Sequence, residues 1–285
     1  MSLWLLEGSG AHCATFTQAK DFVKRLILFF TLAYLISWII WLPLYAPAFG
    51  LHLLPVLPLH HALGGLGPLI AAFVTQALYG GKQGLRSLLK DCIQPRSGWV
   101  LLLALISPFV LEIAALWADS LISGRSLSLE GFFYSREFPD VHPLLFFVYN
   151  LVFFGWGEEA GWRGFALPRI QQRYKAFISA LILSALWAIW HWPLFLYRPG
   201  YVSMDVAGVA GWCISLLTGS ILLSWLYNAS RGSVLVCAIF HATVDIAFTA
   251  KALSPEATGY MGALITIWGI ATIFFLRPRY ELPVS

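Results

Sequence analysis

Charged side chains are scarce in this chain. Asp, Glu, Lys and Arg make up 11% of its 285 residues, against about 25% in a soluble globular protein. So few charges cannot coat a water-exposed surface, which excludes a water-soluble single domain. Intrinsic disorder is excluded too, because 59% of the residues are hydrophobic and disordered chains are poor in such residues. Cysteine is equally sparse. Cys13, Cys92, Cys213 and Cys237 stand far apart with no CxxC pair, which argues against a disulfide framework and against a thiolate zinc site. No internal repeat, no low-complexity tract and no removable signal peptide is visible.

What the chain has instead is apolar length and aromatic rings. Its mean hydropathy is +0.75. It carries 13 Trp, 11 Tyr and 21 Phe, a load expected where rings settle at a membrane interface. The fold class that follows is all-α, a polytopic transmembrane helical bundle. Apolar runs near the ~20 residues that cross the hydrocarbon core fall at about 26–46, 59–79, 98–118, 142–162, 176–196, 206–227, 232–250 and 259–276. They predict eight spans in a single membrane domain covering 1–285, with the lipid bilayer as its surroundings and no further domain.

The net charge is +4, but the basic residues form no stripe, so nucleic acid is not a partner. They sit in short connections between the runs. Numbering eight spans from a cytoplasmic N-terminus puts Lys20, Lys24, Arg25, Lys82, Arg86, Lys90, Arg96, Arg163, Arg169, Arg173, Lys175, Arg231, Arg277 and Arg279 on the cytoplasmic side. Arg125, Arg136, Arg198 and Lys251 fall on the other. This asymmetry predicts a multi-pass protein with both termini in the cytoplasm. The outer segment of about 119–141, with Asp119, Glu130, Glu137 and Asp140, is expected to be a solvated lid or an interfacial stretch. Pro168 to Lys175 is basic with scattered apolar residues and reads as a short amphipathic helix on the cytoplasmic interface.

Ionisable residues inside apolar spans cost at least ~2.5–3.5 kcal/mol each near the bilayer centre, and so point to function. The candidates are Glu112, Glu158, Glu159, Arg163, His191, His241 and Asp245. In Gly157-Glu158-Glu159-Ala160-Gly161-Trp162-Arg163, Glu159 and Arg163 are four apart and share a helix face, so they can pair. Glu158 is turned about 100° away and stays available as a base. Gly157 and Gly161 form a small-xxx-small pair that lets another helix approach. His191 follows Trp187 and Trp190 and precedes Pro193, which is expected to end or kink the helix. His241 and Asp245 are four apart on one face. That spacing suits a metal, or an aspartate that orients an imidazole. Glu112 stands outside these islands and is expected to pair within the core or face the outer mouth. His52, His60, His61 and His142 lie near span ends and read as interfacial, and Asn150 reads as a packing residue.

An EExxxR motif (Glu158, Glu159, Arg163), then an aromatic-xxx-His element (Trp187, His191), then HxxxD (His241, Asp245) together resemble the family of CAAX proteases and bacteriocin-processing intramembrane endopeptidases. The Ras-converting CAAX endopeptidases are its best-known members. The resemblance covers about 145–250, a catalytic motif core. The chain departs from the family in having Trp187 where Phe is frequent and Asp245 where Asn is frequent. The resemblance implies an intramembrane endopeptidase acting on a membrane-associated protein or peptide, prenylated where the host makes that modification. It implies Glu158 as general base on the attacking water, His191 positioning that water, and Glu159 with Arg163 bracing the site. His241 and Asp245 then stabilise the oxyanion or complete a metal site.

Two mechanisms stand open at this level. In one, His191, His241 and a carboxylate, Glu158 or Asp245, hold a zinc ion that lowers the pKa of its water; in the other there is no metal, Glu158 deprotonates the water and His241 donates to the oxyanion. The site is expected to open toward the cytoplasm. His191 nonetheless falls near the outer end of its run and Glu158 near the inner end of its own. Two other classes compete: a non-catalytic immunity or scaffold protein of the same fold, and a proton-coupled transporter. The transporter is disfavoured by the absence of two related halves. Neither the substrate's identity nor the oligomeric state is readable.

Overall fold

The computed structural model describes residues 8–52 and 55–277, with side chains from residue 21 onward. The side chains of Cys13 and Lys20, Arg279, and part of the stretch read for a signal peptide lie outside the described residues. Among the described residues there is no strand, only an isolated antiparallel bridge between Ser135 and Ala250. The elements are α1 (Gly8–Tyr45), α2 (His60–Gly65), α3 (Gly67–Ile93), α4 (Gly98–Ser123), α5 (Pro143–Asn150), α6 (Gly157–Gly161), α7 (Leu167–Ile170), α8 (Ala176–Trp190), α9 (Leu194–Tyr197), α10 (Pro199–Val202), α11 (Val206–Ala229), α12 (Val234–Phe248) and α13 (Pro255–Thr272).

Among the described residues, six helical stretches are long and apolar enough to cross a membrane: Asp21–Phe49, His60–Ile93, Gly98–Ser123, Ala176–Tyr197, Val206–Ala229 and Pro255–Phe275. Each holds one of the expected spans. The other two runs, 142–162 and 232–250, are helical but do not reach that length as uninterrupted apolar helices. The first is broken by π-helical turns at Leu151–Trp156 and Trp162–Ala166, and the second is the 15-residue α12. Pro168 to Lys175 is not a separate interfacial helix. Leu167 and Ile170 are buried and finish the broken helix, and 171–175 is a turn.

Local chemistry sets the helix ends. Asp205 caps α11 by accepting from the Gly208 amide at 2.7 Å. Ser254 caps α13 through the Ala257 amide at 3.0 Å, with Pro255 in the first turn. Both are favoured N-terminal arrangements. Gly124 closes α4 with φ 72°, a left-handed conformation that glycine adopts without penalty.

Contacts between connections define two ends of the bundle. At one, Arg96 donates to the carbonyls of Arg231 and Gly232 at 3.0 Å, and Asn228 donates to the Arg277 carbonyl. At the other, Arg136 donates to the carbonyls of Phe248 and Leu253, and Arg198 pairs with Glu137 at 2.6 Å. The basic last turns of α3 with the 94–97 connection, 169–175 and Arg231 lie toward the first end. The segment 124–142 gathers with 198–205 and 249–254 at the second.

α12 is central. Val234, Cys237, Phe240, His241, Thr243 and Ala247 are all buried, and the helix packs on α4 and on the π turn Leu151–Trp156. α1, α4 and α13 instead turn aliphatic side chains such as Ile39, Ile113 and Ile267 outward, as lipid-facing helices do. With no hydrophobic drive between helices in lipid, polar groups act as glue. Tyr34 donates to the Leu186 carbonyl at 2.7 Å, Trp38 to the Trp190 carbonyl at 3.0 Å, and Trp190 to Ser37 at 2.8 Å. Those three bonds fasten α1 to α8.

Candidate active site

The EExxxR segment sits between the two π turns, on a helix that runs from Pro143 to Ile170 with changes of winding. π turns inside helices are frequent at functional sites because they rotate the side chains that follow. Glycine lets neighbours press against this segment. A Cβ on Gly157 would lie 2.7 Å from the Gly65 carbonyl oxygen, one on Gly161 would lie 2.6 Å from Pro68 Cβ, and one on Gly155 would lie 2.5 Å from the Ala238 carbonyl oxygen. The small-xxx-small expectation is borne out: α6 lies directly on the α2–α3 backbone. Gly161→Leu is therefore expected to abolish accumulation of folded protein, because the clash is with backbone that cannot rotate away. Monodisperse elution in mild detergent is the readout; a variant that elutes like the parent would refute the close approach.

Glu159 is completely buried and is a shared acceptor. Its Oε1 takes a hydrogen bond from Arg163 at 3.0 Å and lies 2.8 Å from His241 Nδ1. The predicted Glu159–Arg163 pair thus exists, and it reaches across to α12. Arg163, also completely buried, donates to Ser220 Oγ at 3.2 Å. Its guanidinium carbon lies 4.8 Å from the ring centroid of Trp187, within cation–π range.

Glu158 points elsewhere, as its rotation on the helix requires. Its Oε2 accepts from the indole N–H of Trp187 at 2.8 Å and from that of Trp162 at 3.3 Å. Oε1 takes part in neither bond. α8 ends at Trp190 and Pro193 starts α9, so the chain breaks at His191 as the proline predicts. His191 Nδ1 lies 2.8 Å from the Trp187 carbonyl. A carbonyl only accepts, so Nδ1 carries the proton and Nε2 presents a lone pair. His241 Nε2 lies 3.7 Å from Asp245 Oδ2, an ion-pair distance but too long for a hydrogen bond.

Glu158, His191, His241 and Asp245 all line one cavity of about 470 Å³. The difference in depth expected between Glu158 and His191 disappears for a simple reason. The helix bearing Glu158 continues to Ile170, so Glu158 lies near its middle. Glu159 and Arg163 stand behind the wall, outside the lining. The cavity's rim is made by Glu137, Phe138, Arg198, Gly200 and Thr249. It therefore opens at the end opposite the basic connections, not on the basic side where a cytoplasmic mouth was expected.

A zinc centre needs donors that converge. Among the described residues no three His, Cys, Asp or Glu side chains come together as metal ligands. The Nδ1 of each imidazole is held by a protein acceptor, as in metal-ligating histidines, so it is the lack of convergence and not these bonds that counts against zinc. As placed, these side chains do not fit a zinc site.

Several lining residues escaped the sequence. His61, read as interfacial, lines the cavity and its Nδ1 lies 2.7 Å from the Tyr197 hydroxyl. Asn150 lines it too, with its amide donating to the Phe146 carbonyl. Glu112 is buried in α4 outside the cavity, and neither of its oxygens has a hydrogen-bond partner. It takes neither of the two places expected for it.

Two comparisons with known proteins bear on the family resemblance. The family model for the type II CAAX prenyl endopeptidases, Rce1-like, matches residues 140–247, a stretch that contains every motif residue named above. The chain is also 26% identical over 238 residues, 77% of its own length and 82% of the relative's, to CAAX prenyl protease 2 of Methanococcus maripaludis. Both similarities are to proteases of the CAAX prenyl type, and they bear out the resemblance carried by the motifs.

Proposed function

We propose that this relative of the Rce1-like CAAX prenyl endopeptidases hydrolyses a peptide bond of a membrane-associated protein or peptide, using water activated by Glu158 within the cavity. The observation that carries the proposal is the double indole clamp on Glu158 Oε2. It leaves the second oxygen of Glu158 to meet a water in the space that Glu158 lines with both imidazoles. The water donates one O–H to Glu158 Oε1 and the other to His191 Nε2. Its oxygen attacks the scissile carbonyl carbon as its proton passes to Glu158. The oxyanion forms beside His241, which donates from Nε2 when doubly protonated. That imidazolium has a carboxylate beside each nitrogen, Glu159 and Asp245. Collapse of the tetrahedral intermediate breaks the C–N bond, and Glu158 returns its proton to the leaving nitrogen. Arg163 balances the charge of Glu159 and so holds the acceptor that orients His241.

The reaction so written has no metal step. The test is cleavage of a lipid-anchored peptide by purified protein in liposomes, with and without chelator, beside metal analysis of the same sample. Cleavage that survives chelation supports the reading, and loss that zinc restores replaces it with a metal mechanism. If no cleavage occurs and Glu158→Gln keeps the cellular phenotype, the non-catalytic reading takes over. The relative's name makes a prenylated CAAX-type C-terminus one substrate to try.

The orientation belongs to the same proposal. The excess of basic residues supports cytoplasmic termini, and the cavity mouth then faces the opposite side. Introduced cysteines separate the two faces. In a cysteine-free background of intact cells, a membrane-impermeant maleimide is expected to label Ser128→Cys, in the exposed 124–142 segment, and to spare Gln172→Cys at the basic end. The reverse pattern would put the mouth in the cytoplasm.

A further inference from the structure

We infer that the groove between α1 and α8 at the basic end of the bundle is a binding site for one anionic phospholipid, whose acyl chain lies in the groove and whose phosphate sits on Arg173. The inference does not depend on the peptidase reading. The groove is separate from the cavity that holds Glu158, and no residue lines both.

The walls are apolar. Ile27 and Phe30 of α1 stand with Ile182 and Leu186 of α8, and Tyr174 lies at the basic end. An apolar recess of about 470 Å³ facing the bilayer loses packing contacts along its walls unless hydrocarbon fills it. From Phe22 to Tyr34 the groove follows α1 for about 18 Å, at ~1.5 Å per residue. Half of a hydrocarbon core is about 15 Å, so the length suits one chain of one leaflet. The deep end is shut where the Tyr34 hydroxyl donates to the Leu186 carbonyl at 2.7 Å.

The basic end supplies the charge for a head group. The guanidinium carbon of Arg173 lies 5.3 Å from the ring centroid of Phe22, and Phe22 lines the groove. Lys24, Arg25, Arg169 and Lys175 belong to the same two segments, 21–34 and 167–175, in which Asp21 is the sole acid. Among the described residues none of these five cations is in an ion pair. Arg25 stands close enough to Arg169 to repel it. Arg169 donates to the Phe165 carbonyl and to Gln76, and Arg25 turns to the Tyr79 ring. Arg173 is the exposed arginine beside the groove, and it keeps its fork for a phosphate. The other cations add a positive field that favours a net negative head group over a zwitterionic one.

The test titrates phosphatidylglycerol and phosphatidylcholine with the same acyl chains into the full chain in mild detergent. Native mass spectrometry counts retained lipid, and melting curves read stabilisation. One phosphatidylglycerol per chain is expected to be retained and to raise the melting temperature, as a ligand of the folded state does. Arg173→Gln is expected to weaken it about fivefold, the factor that one basic residue near an anionic surface supplies, with Arg173→Lys in between. Phosphatidylcholine is expected to bind weakly to the parent and to both variants. Thr31→Trp, at an exposed position of the groove, is expected to fill it and abolish retention, and Ile27→Trp serves if that variant does not fold. Equal binding of the two lipids overturns the proposal. So does undiminished binding in Arg173→Gln, which leaves only a general basic surface, or in the tryptophan variants, which removes the groove. Inorganic phosphate that raises the melting temperature as far as the lipid would mean an anion site without a chain. An isoprenyl alcohol that displaces the lipid equally from parent and Arg173→Gln would mean a site for neutral isoprenoids. A dimer that retains no lipid would give the groove to a second copy of the chain. Each of these three results overturns the proposal as well.

Discussion

Glu158→Gln is expected to lower kcat for a lipid-anchored peptide by about a thousandfold, the middle of the range for losing a general base, while the protein folds as before. The two halves of this expectation have separate physical causes. Gln has the size of Glu, and its amide oxygen can still accept from the indoles of Trp187 and Trp162, so the side chain keeps its place. The group turned to the cavity becomes an NH2, which cannot take a proton from water. KM is expected to change little, because a neutral amide at this position removes no contact that the substrate needs in order to bind. Trp187→Phe probes the clamp itself. It removes the 2.8 Å indole bond and keeps a ring under Arg163, so a fall of about tenfold is expected from one hydrogen bond to a charged acceptor. Turnover and melting temperature measured on the same preparations separate loss of chemistry from loss of fold. A Glu158→Gln protein within a few-fold of the parent would remove Glu158 as the base.

The helical class and the main features of the site are legible because they follow from local patterns. Apolar runs betray the long helices. The four-residue spacings of Glu159 with Arg163 and of His241 with Asp245 hold in three dimensions, since helix geometry fixes them. Trp162 is four residues from Glu158 and was reachable by the same rule, but a tryptophan in an apolar helix reads first as packing. What stayed hidden depends on tertiary contact. The π turns around α6 leave no periodic trace in the sequence; they go with glycine contacts to α2, α3 and α12. Arg163 meets Ser220 across 57 positions and Arg198 meets Glu137 across 61. No spacing rule reaches that far. The position of the cavity relative to the basic connections is likewise tertiary. The charge count reports on insertion, whereas the cavity is set by where α8 breaks at His191 and where the 124–142 segment folds back.

Glu159→Leu is expected to destabilise the protein by about 3–5 kcal/mol, the usual range for breaking a buried ion pair from one side, and to do so more severely than Arg163→Met. The reasoning turns on what each leaves behind. Without Glu159, Arg163 keeps a positive charge inside the bundle with only the Ser220 hydroxyl and the face of Trp187 for company. His241 loses the acceptor for Nδ1 at the same time. Without Arg163, Glu159 still has His241 at 2.8 Å, and the pair can settle as carboxylate and imidazolium. The double variant is expected to be more stable than Glu159→Leu alone, since it removes the stranded guanidinium, yet to stay inactive because His241 swings free of its fixed acceptor. Melting curves of the three variants in one detergent, read with their turnover, test this ordering. If Arg163→Met proves the more damaging, His241 does not share the charge of Glu159, and the link between the EExxxR helix and α12 is mechanical packing alone.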